Sequence, residues 1–214
     1  RPPAARRFWQ SWRRWMTDLL TDALPAVWHG RRIDPDFRHM VRLSSAYSHG
    51  EVETDPVAFA LQLCGQFYTE RFSPSDLQEK YSWLIEFYRA GEQAAEPTAN
   101  TAASRPDTGP AFDYRCDAPY IVAAFQQAYG IDLTTAKLHW FRFRALFAAL
   151  PEDTLMAKIM SWRTLDLDDY DGKMREHYAD LKERFALPAA LRGGAAVAQT
   201  VAEHDAAFLA RFRH

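Results

Sequence analysis

Arg142, Arg144 and Arg163 stand among aromatic and aliphatic side chains in the run YGIDLTTAKLHWFRFRALFAALPEDTLMAKIMSWRTLDL, residues 129–167. A guanidinium in such company can stack on a ring or pair with a carboxylate while its stem packs. Within the chain, Asp132, Glu152 and Asp166 are the carboxylates at hand. At a surface, aromatic residues and arginine are the types enriched where partners bind. His139, Trp140, Arg142, Arg144, Trp162 and Arg163 are therefore the candidates for partner binding.

Catalysis needs groups that converge, and the available motifs fall short. Asp166 to Gly172, DLDDYDG, has the look of a calcium loop. Started at Asp166, however, its fifth ligand position is Tyr170, its glycine comes one place late, and its twelfth position is His177 instead of a bidentate glutamate. A solvated acidic loop that caps a helix fits better. Glu176-His177 lacks the second histidine that would put two zinc ligands on one helix face. His139 beside Trp140 reads as a packed or edge histidine before a general base, and His204 as a packing or contact residue on a terminal helix. The sequence contains no GxSxG, Walker A or GxGxxG pattern. A non-enzymatic protein without cofactor or metal is expected.

Composition agrees. The 214 residues are 48% hydrophobic and 25% charged, as in ordinary globular proteins. No apolar run approaches the ~20 residues that span a bilayer, so a soluble protein with no membrane partner is expected. Cys64 and Cys116 are far apart with no CxxC pairing, which indicates neither a structural zinc site nor a disulfide framework and fits a reducing compartment. The net charge of −2 conceals a basic start: Arg1, Arg6, Arg7, Arg13 and Arg14 fall within the first fifteen residues, which hold no acid. The remainder is acidic, against a duplex-DNA surface.

Those first fifteen residues, RPPAARRFWQSWRRW, interleave arginine with Phe8, Trp9, Trp12 and Trp15. A binding arm for membrane or nucleic acid has this pattern. The plainer reading takes Met16 as the natural beginning and residues 1–15 as a non-native extension, so no nucleic-acid partner is expected unless that arm is native.

The elements that must position these residues are mostly helical. Residues 16–91 hold a hairpin over 24–33, turning at His29-Gly30, and a helical lobe. In it, Asp34-Pro35-Asp36 opens one helix with Phe37, Met40, Val41 and Ala46 inward. Asp55 and Pro56 open the next, with the stripe Val57, Leu61, Cys64 and Tyr68. Ser73, Pro74 and Asp76 open a third, with Leu77, Tyr81, Leu84 and Tyr88. The last two should pack as an antiparallel pair. Residues 92–111 contain no aromatic residue and no Leu, Ile, Val or Met; they cannot bury enough to offset ordering and read as a flexible linker. The second lobe, 112–188, begins with a helix opened by Asp117-Ala118-Pro119 and closed at Gly130. A helix capped by Thr134 or Thr135 then runs to Leu150 with apolar residues on several faces, which places it centrally in a core or sandwiched in an oligomer. Asp153 caps the next helix, which turns Met156, Ile159 and Met160 inward, and a charged helix spans about 171–185. Residues 189–214 form a last amphipathic helix with Val197, Val201, Phe208 and Phe212 on one side. The fold expected is all-α, a multi-helix bundle of two lobes with a small N-terminal β-hairpin.

The chain resembles the bacteriophage gene-product-fifteen family of siphophage tail modules. The first half carries the resemblance in LLTDALP (19–25), the hairpin glycine, and Ile33-Asp34 leading to Asp36-Phe37-Arg38. The more specific second half carries it in Ala123-Ala124-Phe125, Tyr129-Gly130-Ile131-Asp132-Leu133, Leu138-His139-Trp140, Phe143-Arg144-Ala145-Leu146, and Lys158-Ile159 with Arg163, Asp166 and Leu167. Together these span roughly Leu19 to Pro188. The arginine-rich start, the long Ala/Pro linker and the Ala-rich C-terminal helix fall outside the pattern. The resemblance implies a protein encoded between the major tail protein and the tape measure. It further implies a tail assembly chaperone of the host bacterial cytoplasm that coats the tape measure protein and yields to the tail tube protein, with self-association expected. The alternative it leaves open is a structural component of the mature tail or baseplate.

Overall fold

The computed structural model describes residues 23–94 and 109–192. The basic extension 1–15, most of the linker and the stripe from Val197 to Phe212 lie outside the described residues. Val27–Trp28 (β1) and Arg31–Arg32 (β2) form the expected hairpin, antiparallel with Trp28 opposite Arg31. His29 and Gly30 turn it with φ of 47° and 73°, the doubly left-handed backbone of a type I′ connection. Trp28 anchors it, edge-on to Phe87 and donating its indole N–H to the Trp83 carbonyl at 2.9 Å. His29 stacks on Trp83 with centroids 4.6 Å apart.

Eight α-helices follow among the described residues: α1 Phe37–Ser48, α2 Pro56–Phe67, α3 Leu77–Ala94, α4 Ala118–Tyr129, α5 Trp140–Ala148, α6 Leu155–Thr164, α7 Gly172–Arg184 and α8 Ala189–Arg192. The expected all-α class with a small hairpin is the class observed. Local chemistry explains most starts. Asp36 accepts the Arg38 N–H at 3.0 Å, and Asp55 accepts the Ala58 N–H at 3.0 Å ahead of Pro56, each satisfying a donor the first turn cannot. Gly130 ends α4 with φ of 66°, its N–H returning to Gln126, a left-handed cap that glycine takes without strain.

The centre is the packing of α3 against α5. Trp140 is fully buried, stacks on Tyr88 at 5.4 Å and donates its indole N–H to the Tyr88 carbonyl at 2.9 Å. Phe143 is the hub, stacked with Phe37 at 4.5 Å and Phe125 at 5.2 Å. The starts of α1 and α5 are stapled by backbone: Phe37 N–H donates to Leu138 O at 2.9 Å and Trp140 N–H to Pro35 O at 2.8 Å. Tyr47 and Tyr81 join α1 to α3 through a buried hydroxyl–hydroxyl bond of 2.6 Å. One apolar core thus runs from Trp28 to Met156, and the helices before and after the linker meet in it.

Several starts and faces differ from expectation. The helix assigned to Thr134 or Thr135 begins at Trp140, with His139 as its cap. The Asp132 carboxylate instead ties down a turn by accepting from the Thr134 N–H and hydroxyl at 2.8 and 2.6 Å, and the stretch behind it is held extended by the staple. Thr154, not Asp153, caps α6, accepting the Ala157 N–H at 3.3 Å. Ser73 opens a 3-10 turn over Pro74–Asp76, and α3 starts only at Leu77. On α2 the buried line is Ala60, Leu63, Cys64 and Phe67, while Val57 and Leu61 are exposed. That helix is apolar over most of its circumference, so periodicity alone could not fix its inward face. Finally, α3 continues to Ala94, past the expected linker start at 92.

Candidate functional site

A groove of about 400 Å³ lies between α1 and α2. The helical period puts Val41 and Ala46 of α1 opposite Phe59 and Leu63 of α2, giving an apolar floor. Its rim is polar. Arg42 reaches across to donate to the Gln66 side-chain carbonyl at 2.7 Å. At the end beyond α1, Arg115 grips Glu51 with two hydrogen bonds of 2.6 and 3.1 Å. The Arg115 hydrogen bond holds Glu51 below the usual glutamate range, and Glu51 in turn raises Arg115. Both are about half exposed, so the pair shapes the rim and adds little stability.

The segment that supplies Tyr114 and Arg115 to this groove also makes a polar cluster with His49. Asp113 is buried; its Oδ1 accepts the N–H groups of Arg115 and Cys116 at 3.0 and 2.8 Å and lies 3.3 Å from His49 Nε2. Burial opposes its ionisation, but the bonds from Cys116 and His49 outweigh this and hold it below the usual aspartate range. One ligand atom each from His49, Asp113 and Cys116 fall within 4.8 Å of one another. Nothing in the sequence pairs these residues: His49 follows α1, the other two precede α4, and no fixed spacing relates them. The groove escaped for the same reason, since two correctly placed helices do not reveal the gap between them.

The six residues expected to meet a partner separate in the structure. His139 is a cap: its Nδ1 accepts the Phe141 N–H at 3.1 Å, so Nε2 carries the proton, donated to Pro25 O at 3.1 Å. Burial lowers its pKa against the raising effect of that bond. Trp140 is enclosed in the core. Arg144 donates to the Tyr114 hydroxyl at 2.9 Å and lies over Trp140. Trp162 is half-buried against Phe185, centroids 5.1 Å apart. Arg163 pairs with Asp117, at 2.6 and 2.8 Å, and also donates to the carbonyls of Phe185 and Ala111 at 2.7 and 3.1 Å. Its carboxylate partner is thus none of Asp132, Glu152 and Asp166. Arg142 is exposed and is the member of the six best placed to reach a partner.

In the acidic loop the Asp166 side chain caps a short 3-10 turn, whereas Asp171 makes no side-chain cap bond to α7. Leu167–Asp169 form a 3-10 turn in which Asp166 accepts the Asp168 N–H at 3.0 Å, and Arg175 pairs with Asp168 at 3.1 Å. Cys64 is buried, its thiol pushed up to about 12 by desolvation, which makes it a packing residue. No helix among the described residues is long and apolar enough to cross a membrane.

A family model described as Bacteriophage Gp15 protein matches residues 16–187. Searches of curated proteins and of solved structures give no match. The matched span takes in the hairpin, the groove helices, the polar cluster and the α3–α5 centre.

Proposed function

We propose, since this chain belongs to the Bacteriophage Gp15 protein family, that it is a non-enzymatic tail assembly chaperone holding helical segments of the tape measure protein. Membership makes it a phage structural or morphogenesis protein. The finer role rests on one observation, the α1–α2 groove with its apolar floor of Val41, Ala46, Phe59 and Leu63 and its hydrogen-bonding rim. An amphipathic helix lays its apolar stripe into such a groove and meets polar groups at the edges. Exposed Arg142 is a secondary contact in this reading. Assembly takes place in the host cytoplasm, the tail tube protein displaces the chaperone, and no reaction is catalysed.

Mass spectrometry of purified virions tests the role. A chaperone is absent or present in trace; a stoichiometric amount would make the chain a component of the mature tail or baseplate. Co-expression with the tape measure protein encoded beside it should raise that protein's solubility and give a complex on gel filtration. Absence of both overturns the reading.

A further inference from the structure

His49 emerges from the end of α1, and Asp113 and Cys116 sit in the turn that leads to α4. Their ligand atoms converge within 4.8 Å, with His49 Nε2 and Asp113 Oδ1 already 3.3 Å apart. The Asp113 carboxylate is aimed by the backbone N–H groups of Arg115 and Cys116, so its orientation is set before any ligand arrives. Cys116 is solvent-accessible. We propose that His49, Asp113 and Cys116 form a site for a single zinc-class divalent cation, which fastens the end of α1 to the turn ahead of α4.

The donor set selects the class. Imidazole nitrogen, carboxylate oxygen and thiolate sulfur together suit a borderline-soft cation, whereas calcium and magnesium favour all-oxygen shells. Tetrahedral bonds of ~2.0–2.3 Å place ligand atoms roughly 3.3–3.8 Å apart. The His49–Asp113 pair meets that spacing, and the Cys116 side chain closes the rest by about an ångström of rotation, within the 4.8 Å envelope. Solvent takes the fourth position, as in sites with three protein ligands.

A nucleophilic cysteine is the rival reading of the same trio, and the order of contacts disfavours it. Activation requires the imidazole between thiol and carboxylate; here the carboxylate stands in the middle, bonded by both Cys116 and His49. Burial and the Asp113 contact also raise the Cys116 thiol, which disfavours a free thiolate. A bound cation changes this balance: the sulfur–metal bond forms as the S–H bond breaks, and His49 Nε2 gives up the proton it shares with Asp113 while Nδ1 takes one from solvent. One net proton passes to solvent, and the charge of Asp113 is matched by the metal.

The full chain, stripped with chelator, can be titrated with Co²⁺ as the spectroscopic probe and then with competing Zn²⁺. The expected result is one equivalent of Co²⁺ with a thiolate-to-cobalt charge-transfer band that zinc removes. The band disappears in Cys116→Ser and persists in Cys64→Ala, with circular dichroism confirming that both variants fold. His49→Gln weakens zinc binding at least about tenfold, since even outer-shell partners of a metal site carry that much. In the unmodified chain zinc shields Cys116 from iodoacetamide. A missing charge-transfer band, a band that survives Cys116→Ser, or zinc binding that leaves Cys116 alkylation unchanged overturns the proposal.

Discussion

Arg163→Met should be among the most damaging single changes at a residue that touches neither the groove nor the central aromatics. The Arg163 and Asp117 side chains are 8% and 1% exposed. Methionine preserves much of the apolar stem, so the cost comes from the polar end. Asp117 keeps the Asp113 N–H bond at 2.9 Å but loses both guanidinium bonds, and the carbonyls of Phe185 and Ala111 lose a donor. Removing one partner of a buried ion pair costs ~3–5 kcal/mol, because the surviving charge stays buried. Native stabilities are ~5–15 kcal/mol, so roughly a fifth of the total or more is at stake. With an m of ~2 kcal/mol per molar urea, the unfolding midpoint falls by about 2 M. Tryptophan fluorescence and far-ultraviolet circular dichroism should report the same shift. Adding Asp117→Asn relieves the stranded charge, and the double variant should recover ~1–3 kcal/mol against the summed singles. A loss below about 1 kcal/mol for Arg163→Met, the range of exposed pairs, would refute the reasoning.

The remaining predictions use smaller levers. Burial holds His139 below its ordinary value of 6.5, so the unfolded chain takes up the proton first as pH falls. The stability it contributes is complete above pH 6.5 and is lost below it, by at most ~1.4 kcal/mol per pH unit; urea midpoints at pH 8 and 5.5 should differ more in the native chain than in His139→Asn, and equal differences would contradict the cap geometry. Gly130→Ala meets no atom within 4 Å, yet φ there is 66°, so thermal unfolding should register a pure backbone penalty of ~1–2 kcal/mol. Trp140→Ala should cost ~3–5 kcal/mol as a core truncation, whereas Arg142→Ala, at an exposed position, should stay within about 0.5 kcal/mol and weaken partner binding instead.

Legibility in the sequence tracked how local each cause was. The hairpin turn, the Asp36 and Asp55 caps, Pro56 and the Gly130 stop are decided by a few adjacent residues, and they stand where the sequence put them. The dense apolar run after Leu138 has to be surrounded, by a core or by another copy, and the burial of Trp140, Phe141, Phe143 and Phe147 selects the core. What escaped was set by distant partners. Thr134 and Thr135 are adequate caps, but the backbone staple to residues 35–37 keeps the next stretch extended, and α5 waits until Trp140. Arg163 had nearer carboxylates than Asp117, which lies 46 positions back. Trp140 and Arg163 have the chemistry of partner contacts, yet burial commits both to the fold. The groove and the His49–Asp113–Cys116 trio exist only once α1, α2 and the segment before α4 meet, and no pattern within a single element announces them.

Binding of the tape measure protein to the groove is the claim on which the proposed role depends, and pull-down of that protein from co-expressing cells tests it most directly. The native chain should retain it. Phe59→Asp, a charge placed on the apolar floor of the groove at a half-buried position, should release it while circular dichroism stays unchanged. Undiminished retention by a folded Phe59→Asp variant, or no retention by the native chain, would contradict the account.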